Sequence, residues 1–256
     1  PSLSPSLSSS LQHTIMHSQN IGVRASLEPL KDLKVDLTLT RNFTNNSSEF
    51  YRFNDSLQDF QQQSRFVTTN VTYTTISLKS AFENLSKDYR SQSFDRLRLA
   101  REDVSQFLGN GNPNSSLDSG GFYSGYSPTQ QDVIIGAFLT TFSGKPVDGK
   151  SINPLRNIPL PNWQISYNGL SKFKTMEKVV QNFTLRHGYT STVTVSGMQT
   201  NLNAQEDTDG FLIARDLNDN FIPSQQVQNI TISERFSPLI GFDATWKIKD
   251  NGLLTK

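Results

Sequence analysis

The most constraining feature of this chain is a strict alternation of apolar and polar residues on both sides of a tight turn. Val23–Leu27 and Val35–Leu39 each place an apolar residue at every second position, and the turn-forming Pro29–Asp32 lies between them. Side chains two residues apart in a strand point to the same face, so each segment has one apolar and one polar face. The pattern predicts an antiparallel β-hairpin whose apolar face must be covered.

Alternation of the same kind recurs along the chain and predicts a mainly β protein with antiparallel strands. Further strands are predicted at Phe66–Phe82, Trp163–Leu170, Val179–Gln199, Gln226–Ser233 and Phe242–Lys249. The run Val179–Gln199 exceeds the nine to eleven residues with which a tilted strand crosses a bilayer, so it is expected to project beyond one. Residues 1–20 are Ser-rich and predict an irregular lead-in, and the polar segment Asn45–Ser64 predicts a loop.

A helical and loop region is predicted at residues 86–158, between barrel or sheet strands at 21–85 and 159–256. One helix is predicted from apolar residues on a single helical face, ended by Gly109: Phe94, Leu97, Val104, Phe107 and Leu108. A second helix is predicted with Ser127 as N-cap, Pro128 in its first turn and Gln130 completing a capping box. Strands followed by helices and again by strands indicate a sheet with an inserted helical cap.

Composition excludes several classes of function. The net charge of +1, with Lys and Arg scattered, gives no basis for nucleic-acid binding. The chain has no cysteine, which excludes disulfides and thiol chemistry. A mean hydropathy of -0.47 argues against a helical membrane protein but not against a membrane barrel, where only alternate strand residues face lipid. The chain starts at Pro1 without a signal peptide, so we expect it to be a portion of a larger protein.

Three motifs that could carry chemistry are better explained without it. Gly144–Ser151 matches the phosphate-binding P-loop pattern, but a helix precedes it and prolines follow, whereas the P-loop must open a helix. Asp207–Gly210 and Asp216–Asn220 suggest calcium, yet lack the glycine and acid spacing of an EF-hand and are expected to be solvated turns. His13 and His17 have no acidic partners nearby. We predict no catalytic residue, no metal site and no cofactor.

Alternation alone leaves two architectures open, a soluble β-sandwich and a membrane β-barrel, because both place apolar residues on one strand face. The opposite faces are rich in Arg, Lys, Asp, Glu and Thr, as a water-filled lumen allows. The predicted strands also exceed the five to six residues usual in globular sheets. Both features favour the barrel.

Three stretches resemble the SprA/Sov family of Bacteroidetes cell-surface proteins in their order and spacing. They are Pro159–Trp163 continuing to Tyr167 and Gly169–Lys172, Phe183–Leu185 leading to His187, Tyr189 and Ser191–Thr192, and Ile232–Gly241. Further matches are Ala25–Pro29 with Leu33–Leu37, and Gln131–Val133 with Ala137–Phe138. The resemblance runs from about residue 20 to the end of the chain.

The resemblance implies a portion of a very large transmembrane β-barrel with an inserted helical cap, located in the bacterial outer membrane. That family forms the translocon of the type IX secretion system, which exports cargo carrying a C-terminal signal domain and supports gliding motility in gliding species. The implied partners are the remainder of the same barrel, secreted cargo proteins, a PorV-type shuttle barrel, a periplasmic plug protein and membrane lipid. The other functions that we consider are a small-solute barrel transporter and an extracellular glycan-binding β-sandwich.

The family motifs supply ten candidate residues for structural roles or partner contacts. They are Pro161, Asn162, Trp163, Tyr167, Gly169, His187, Tyr189, Glu234, Phe236 and Pro238. For Trp163 we expect packing between wall and cap rather than a place in an interfacial aromatic girdle. The second helix is predicted to gate the pore through Val133, Ile134, Ala137 and Phe138, because an apolar helix between Gly- and Pro-rich connectors could narrow a wide lumen.

Overall fold

The fold is one antiparallel sheet of seven strands with a helical insertion, described for residues 11–78, 82–83, 88, 91–118 and 120–246 of a computed structural model. The elements are β1 Leu11–Leu30, β2 Leu33–Asn54, β3 Asp59–Thr74, α1 Gln92–Asn110, α2 Gln131–Ser143, β4 Asn162–Tyr167, a 3-10 turn Gly169–Lys172, β5 Val180–Thr200, β6 Gln225–Phe236 and β7 Gly241–Trp246. The mainly β, antiparallel class with inserted helices is confirmed. No helix among the described residues is long and apolar enough to cross a membrane.

The seven strands occupy five side-by-side positions. β2 pairs along its length with β1 on one side, and with β4 and β3 laid end to end on the other. β5 then pairs with β4 and β3 on one side, and with β7 and β6, again end to end, on the other. Two of the five positions are therefore each filled by a strand that is interrupted midway.

The interruption between β3 and β4 leaves the register of the sheet intact. On β5, Thr192 pairs with Thr74, the Ser191 carbonyl accepts the Thr75 N–H at 3.0 Å, and Tyr189 pairs with Trp163. Thr190 is thus the single β5 residue left opposite Asn162. β3 and β4 therefore form one continuous strand position, in which Asn162 takes the place directly after Thr75. We call residues 76–161 the insertion.

Rows of paired residues define the two faces of the sheet. On the apolar face one row is Ala25, Leu37, Trp163, Tyr189 and Phe236, and another is Phe43, Val71, Val195 and Ile230; on the polar face one row is Asn20, Asn42, Thr72, Thr194 and Thr231. Every position of the polar row is an amide or a hydroxyl. The two faces therefore differ in chemistry across the full width of the sheet.

The insertion packs on the apolar face. Ile135 and Leu139 of α2 form the main core with Val71, Val193 and Val195 of the sheet. These side chains are less than a tenth exposed, whereas the rest of the apolar face, towards the β1–β2 turn, has no cover from the insertion over Val23 and Leu27. Burial of branched side chains against the sheet supplies the driving force that holds the helices there.

Two segments predicted to be irregular are strands. Residues 11–20 belong to β1 and pair with β2 as far as Tyr51, and residues 1–10 lie outside the described residues. The predicted loop Asn45–Ser64 is reduced to the turn 55–58, because β2 ends at Asn54 and β3 begins at Asp59. Both segments are mostly polar and their apolar residues do not alternate regularly, so they give no strand signal, while their backbone groups are satisfied by the neighbouring strand.

The predicted bounds of the inserted region also need correction. β3 ends at Thr74, not near Phe82, and β4 begins at Asn162, so the insertion is wider than 86–158 and the strands of 21–85 end early. β5 and β6 match their predictions within three residues at each end. β7 ends at Trp246, and the rest of the strand predicted to Lys249 lies outside the described residues.

The two helices were correctly located but not correctly capped. α2 begins at Gln131, and its N-cap is Gln130, whose side-chain oxygen accepts the N–H groups of Asp132 at 2.6 Å and Val133 at 3.0 Å. The predicted cap Ser127 instead bonds the Thr129 N–H in the preceding turn. α1 continues past Gly109 to Asn110, and its predicted apolar face is divided, with Phe94 and Phe107 exposed.

Candidate functional site

An aromatic row crosses the apolar face at the lower edge of the insertion. The Trp163 ring stacks on Tyr189 with ring centroids 4.4 Å apart, and Phe236 lies 5.1 Å from Tyr189 on the other side. Phe82 of the insertion lies 5.3 Å from Phe236, so the row joins the sheet to the insertion. Three of the ten motif residues, from three different strands, form this row.

Tyr189 is the centre of a buried polar network beneath that row. Its hydroxyl donates to Glu234 at 2.5 Å and accepts the Ser77 N–H at 2.8 Å, and its side chain is fully buried. The Ser77 hydroxyl also bonds Ser191 at 2.7 Å. The network connects β5, β6 and the first residues of the insertion, and it assigns Glu234 and Tyr189 a structural role at this junction.

Asn162 closes the point where the chain returns to the sheet. Its side-chain oxygen accepts the Ser191 N–H at 2.8 Å, which satisfies a backbone donor opposite the interruption. On the other side of the interruption, the Leu160 N–H donates to the Thr74 carbonyl at 2.9 Å. Pro161, half-buried between them, has no N–H to satisfy.

His187 and Pro238 meet at the break between β6 and β7. The Pro238 carbonyl accepts the Gly188 N–H at 2.9 Å, and His187 Nδ1 lies 2.6 Å from the Leu239 carbonyl oxygen. His187 therefore contacts backbone here rather than a nucleophile or an acid. Tyr167 and Gly169 lie apart from this group, at the end of β4, where the tyrosine ring packs on the glycine.

The structure thus brings eight of the ten motif residues to one region. Tyr167 and Gly169 lie apart from them, at the end of β4 next to the turn at residues 168–179. The part of the apolar face that the insertion leaves exposed, from Ile21 on β1 to the turns at residues 31–32 and 168–179, is named the apolar belt. Its exposed members include Val23, Leu27, Phe242 and Trp246, between two-fifths and three-quarters exposed. The belt runs to the open edge of β1, where Ile21–Leu30 carries exposed apolar side chains over ten residues.

The predicted gate residues of α2 face in different directions. Val133 and Ala137 are fully buried, Val133 in a second small core with Tyr126 and Phe221. Ile134 is exposed, and Phe138 packs against Phe142 within the helix at 4.9 Å. All four belong to a helix that lies on the apolar face of the sheet.

Sequence reasoning missed the residues that fix α2 to the sheet. The Gln131 side chain donates to the Gln225 carbonyl at 2.8 Å and accepts the Val227 N–H at 3.0 Å. This one amide occupies the outer backbone groups of β6 as a neighbouring strand would. No pattern in the sequence indicates such a contact, because it depends on a long-range approach of helix and strand.

A cavity of about 300 Å³ lies beside this contact, between α2, the segment 152–154 and the start of β6. Its apolar walls include Ile135, Ile152 and Met198. Burial raises the pKa of Asp132, which lines the same cavity and accepts from the Gln130 amide at 3.2 Å.

Three loops with one geometry cluster at the outer side of the insertion. In each, an aspartate Oδ1 accepts the N–H groups two and four residues ahead, at Asp118, Asp207 and Asp216. The third residue after each aspartate has a positive φ, and Asp219 fills this position without glycine. The repeated Asp-x-x-Gly-Phe at 118 and 207 is a signal that could have revealed two of these loops.

The aspartates of these loops use their carboxylates to accept hydrogen bonds from neighbouring N–H groups. The Phe211 N–H is the main reason that the pKa of Asp207 is lowered, and the Asp207 carboxylate also accepts from Asn114 at 2.7 Å. No group of three metal-binding side chains occurs among the described residues. In the P-loop-like segment, Asp148 accepts the Lys150 and Ser151 N–H groups, and turns rather than a helix follow.

No protein-family model matches the chain, and none of the curated proteins matches it.

Proposed function

We propose that this chain is a wall segment of a very large outer-membrane β-barrel, the protein-conducting translocon of a type IX secretion system. The observation that supports the proposal is the apolar belt, which crosses the sheet and reaches β1, an edge strand whose outer side pairs with no other strand of the described residues. A soluble protein rarely leaves a large apolar patch and a long open edge exposed together. Lipid would cover the belt, and further strands of the barrel would pair with the edge.

The polar face supports a water-filled lumen on the other side of the wall. Polar side chains also occupy this face opposite the belt, where Ser26 donates to Asp36 at 2.6 Å and Asp36 pairs with Gln164. Alternation of this kind places polar side chains in a barrel interior. Transport through such a lumen requires no catalytic residue and no cofactor. The resemblance to the SprA/Sov family supports folded protein, rather than a small solute, as the transported material.

The proposed partners follow from the same surfaces. Further strands of the barrel would pair with β1 on one side and, on the other, with β7 and the part of β6 beyond Val227, because Gln131 occupies the start of β6. Cargo proteins, a PorV-type shuttle barrel and a periplasmic plug protein are implied by the resemblance. The small-solute transporter remains the alternative with the same wall. A glycan-binding sandwich would need a second sheet on the belt, and all strands among the described residues belong to one sheet.

The place of the insertion bears on the predicted gate. If the apolar face meets lipid, α2 lies outside the lumen, because Ile135 and Leu139 pack on that same face. This geometry favours the insertion as an external brace of the wall. The gating role of Val133, Ile134, Ala137 and Phe138 stays a prediction. Deletion of residues 76–161 separates the gate from the brace.

Depletion of the protein tests its function. We expect proteins with the C-terminal signal domain to accumulate in the periplasm, measured by cell fractionation, while uptake of small solutes stays unchanged. Normal secretion together with impaired solute uptake would support the small-solute transporter instead. Extraction of the protein from membranes by salt or carbonate, without detergent, would contradict a barrel of either kind.

A further inference from the structure

The two ends of the sheet carry opposite charge. The turn end, which consists of residues 31–32 and 168–179, contains four lysines and two acidic residues. The loop end, which consists of residues 55–58 and 201–224, contains six acidic residues and one arginine. Because the whole chain has a net charge of only +1, charge is separated along the strands rather than present in excess.

Exposed apolar side chains stand between the lysines of the turn end. Leu30 is 66%, Phe173 56% and Val179 51% exposed, and Lys31, Lys174 and Lys178 are exposed beside them. The turn is held in shape by Lys172, whose Nζ lies 2.6 Å from Asp32 Oδ2, and by the Asn168 N–H, which donates to the Asp32 carbonyl at 3.1 Å. The exposed side chains therefore project from an ordered support.

This mixture suits the boundary between hydrocarbon and water. A lysine can lay its apolar stem along hydrocarbon while its ammonium reaches the headgroup layer. Each lysine near an anionic lipid surface contributes attraction to it. Leu30, Phe173 and Val179 are exposed apolar side chains at the end of the sheet that the apolar belt reaches, in and next to the turns that carry the lysines.

We propose that the turn end lies in the headgroup layer of an anionic phospholipid leaflet, where Lys31, Lys174 and Lys178 bind lipid phosphates. The proposal rests on the proposed function, because it takes the apolar belt as the lipid-facing surface. Short turns of bacterial outer-membrane barrels face the periplasm, which assigns the turn end to the periplasmic leaflet. The acidic loop end, at the far end of strands as long as β5, would then project away from that leaflet.

The absence of cysteine allows a direct test by labelling. A Thr175→Cys variant of the complete protein is placed in nanodiscs of phosphatidylcholine with or without phosphatidylglycerol and treated with a water-soluble maleimide. We expect labelling to slow by at least about fivefold when phosphatidylglycerol is present, the factor for one lysine contact of about 1 kcal/mol. The substitutions K31Q, K174Q and K178Q together should remove the difference.

Matched controls separate lipid contact from other causes. Lys150 is an exposed lysine of the insertion, so Lys150→Gln should leave the slowing unchanged. Asn203→Cys at the loop end should react at the same rate in both nanodiscs. Equal labelling of Thr175→Cys with and without phosphatidylglycerol would overturn the proposal. So would equally slow labelling in detergent, because a covering protein rather than lipid would then protect the site.

A cysteine in the belt distinguishes failure of this inference from failure of the proposed function. Val23→Cys should resist the water-soluble maleimide in every nanodisc and react with a lipid-soluble one. If it resists while Thr175→Cys does not respond to phosphatidylglycerol, only the headgroup contact is wrong. If Val23→Cys reacts freely with the water-soluble reagent, the lipid-facing belt itself is wrong. Retained protection of Val23→Cys in the triple lysine variant shows that this variant is folded.

Discussion

Gly188 lies where β5 passes the break between β6 and β7, and a side chain does not fit there. A Cβ at this position would lie 2.5 Å from the Ser237 carbonyl oxygen, which is backbone and cannot rotate away. We expect Gly188→Ala to lower the free energy of unfolding by about 1–3 kcal/mol, as overpacking usually does. Denaturant unfolding of the protein in lipid vesicles measures the change.

Gly22 provides the matched control within the same sheet. A Cβ at Gly22 would have no atom within 4 Å, so Gly22→Ala should be neutral or slightly stabilising. Equal effects of the two substitutions would mean that the close approach of Ser237 to β5 is not present in the folded protein.

The hydroxyl of Tyr189 has two partners that depend on it. Tyr189→Phe would leave the Ser77 N–H and the Glu234 carboxylate without their bonds in a buried site. We expect a loss of about 1–3 kcal/mol of unfolding free energy, the range for unsatisfied buried groups. Tyr51→Phe, which removes a hydroxyl that bonds only Glu49 near the end of β2, should have a smaller effect in the same denaturant titration. A Tyr189→Phe variant as stable as the parent would argue against the network.

At the scale of elements, the start of α1 depends on one carboxylate. Glu83 accepts hydrogen bonds from the Ser93 hydroxyl, from the Ser93 N–H at 2.9 Å and from the Ser91 hydroxyl at 2.9 Å. These bonds, that of the Ser93 hydroxyl above all, lower the pKa of Glu83 from 4.5 to about 2. Ser91 at the N-cap and Ser93 in the first turn thus hold an anion at the positive end of α1.

The lowered pKa fixes the direction of a pH effect. Because the folded form binds the proton more weakly than the unfolded form, the stabilising contribution of Glu83 is complete above about pH 4.5 and is lost as the pH falls towards 2. We expect Glu83→Gln to destabilise the protein at pH 7 and to flatten the dependence of its stability on pH in that window. Thermal unfolding at pH 7 and pH 3 checks this. Asp103→Asn, on the exposed side of α1, should change neither value.

Elements were predictable from the sequence where side chains alternate and not where backbone pairing alone decides. The runs Val23–Leu27 and Val35–Leu39 revealed the hairpin because one face is apolar. β1 and β2 continue beyond those runs, and the polar residues there gave a false prediction of lead-in and loop. The candidate site was predictable only as a set of motif residues. That Trp163, Tyr189 and Phe236 form one row depends on the register of three strands, which no local pattern contains.

At the scale of the whole molecule, the structure places the strands in one sheet and shows which part of its apolar face the insertion covers. Alternation showed sidedness but left sandwich and barrel open, since it does not say what covers the apolar face. In the structure the insertion covers the apolar face around Val71, Val193 and Val195, while the apolar belt remains exposed. Membrane location, transported cargo and partners are properties of surfaces that meet other molecules, so they stay proposals.

Deletion of residues 76–161 should leave a continuous strand, because the register of the sheet is the same on both sides of the interruption. Thr75 and Asn162 would become neighbours, opposite Ser191 and Thr190, and the alternation of faces from Tyr73 to Trp163 would be preserved. We therefore expect the wall to assemble with an uninterrupted strand, although the apolar side chains beneath α2 become exposed and the protein becomes less stable. Folding is measured by the resistance of the barrel to protease in membranes.

Permeability of the same deletion variant to large antibiotics decides where the insertion lies. An insertion on the outer, apolar face leaves the lumen unchanged, so permeability should equal that of the parent protein. A gate inside the lumen would make the deletion leaky, which would restore the gating role of Val133, Ile134, Ala137 and Phe138 and reverse the assignment of the two faces. The double substitution V193S/V195S in the deletion variant provides a second readout. If these side chains face lipid, the substitution should lower the stability of the protein. If they face a water-filled lumen, the stability should stay nearly unchanged, because polar side chains are tolerated there.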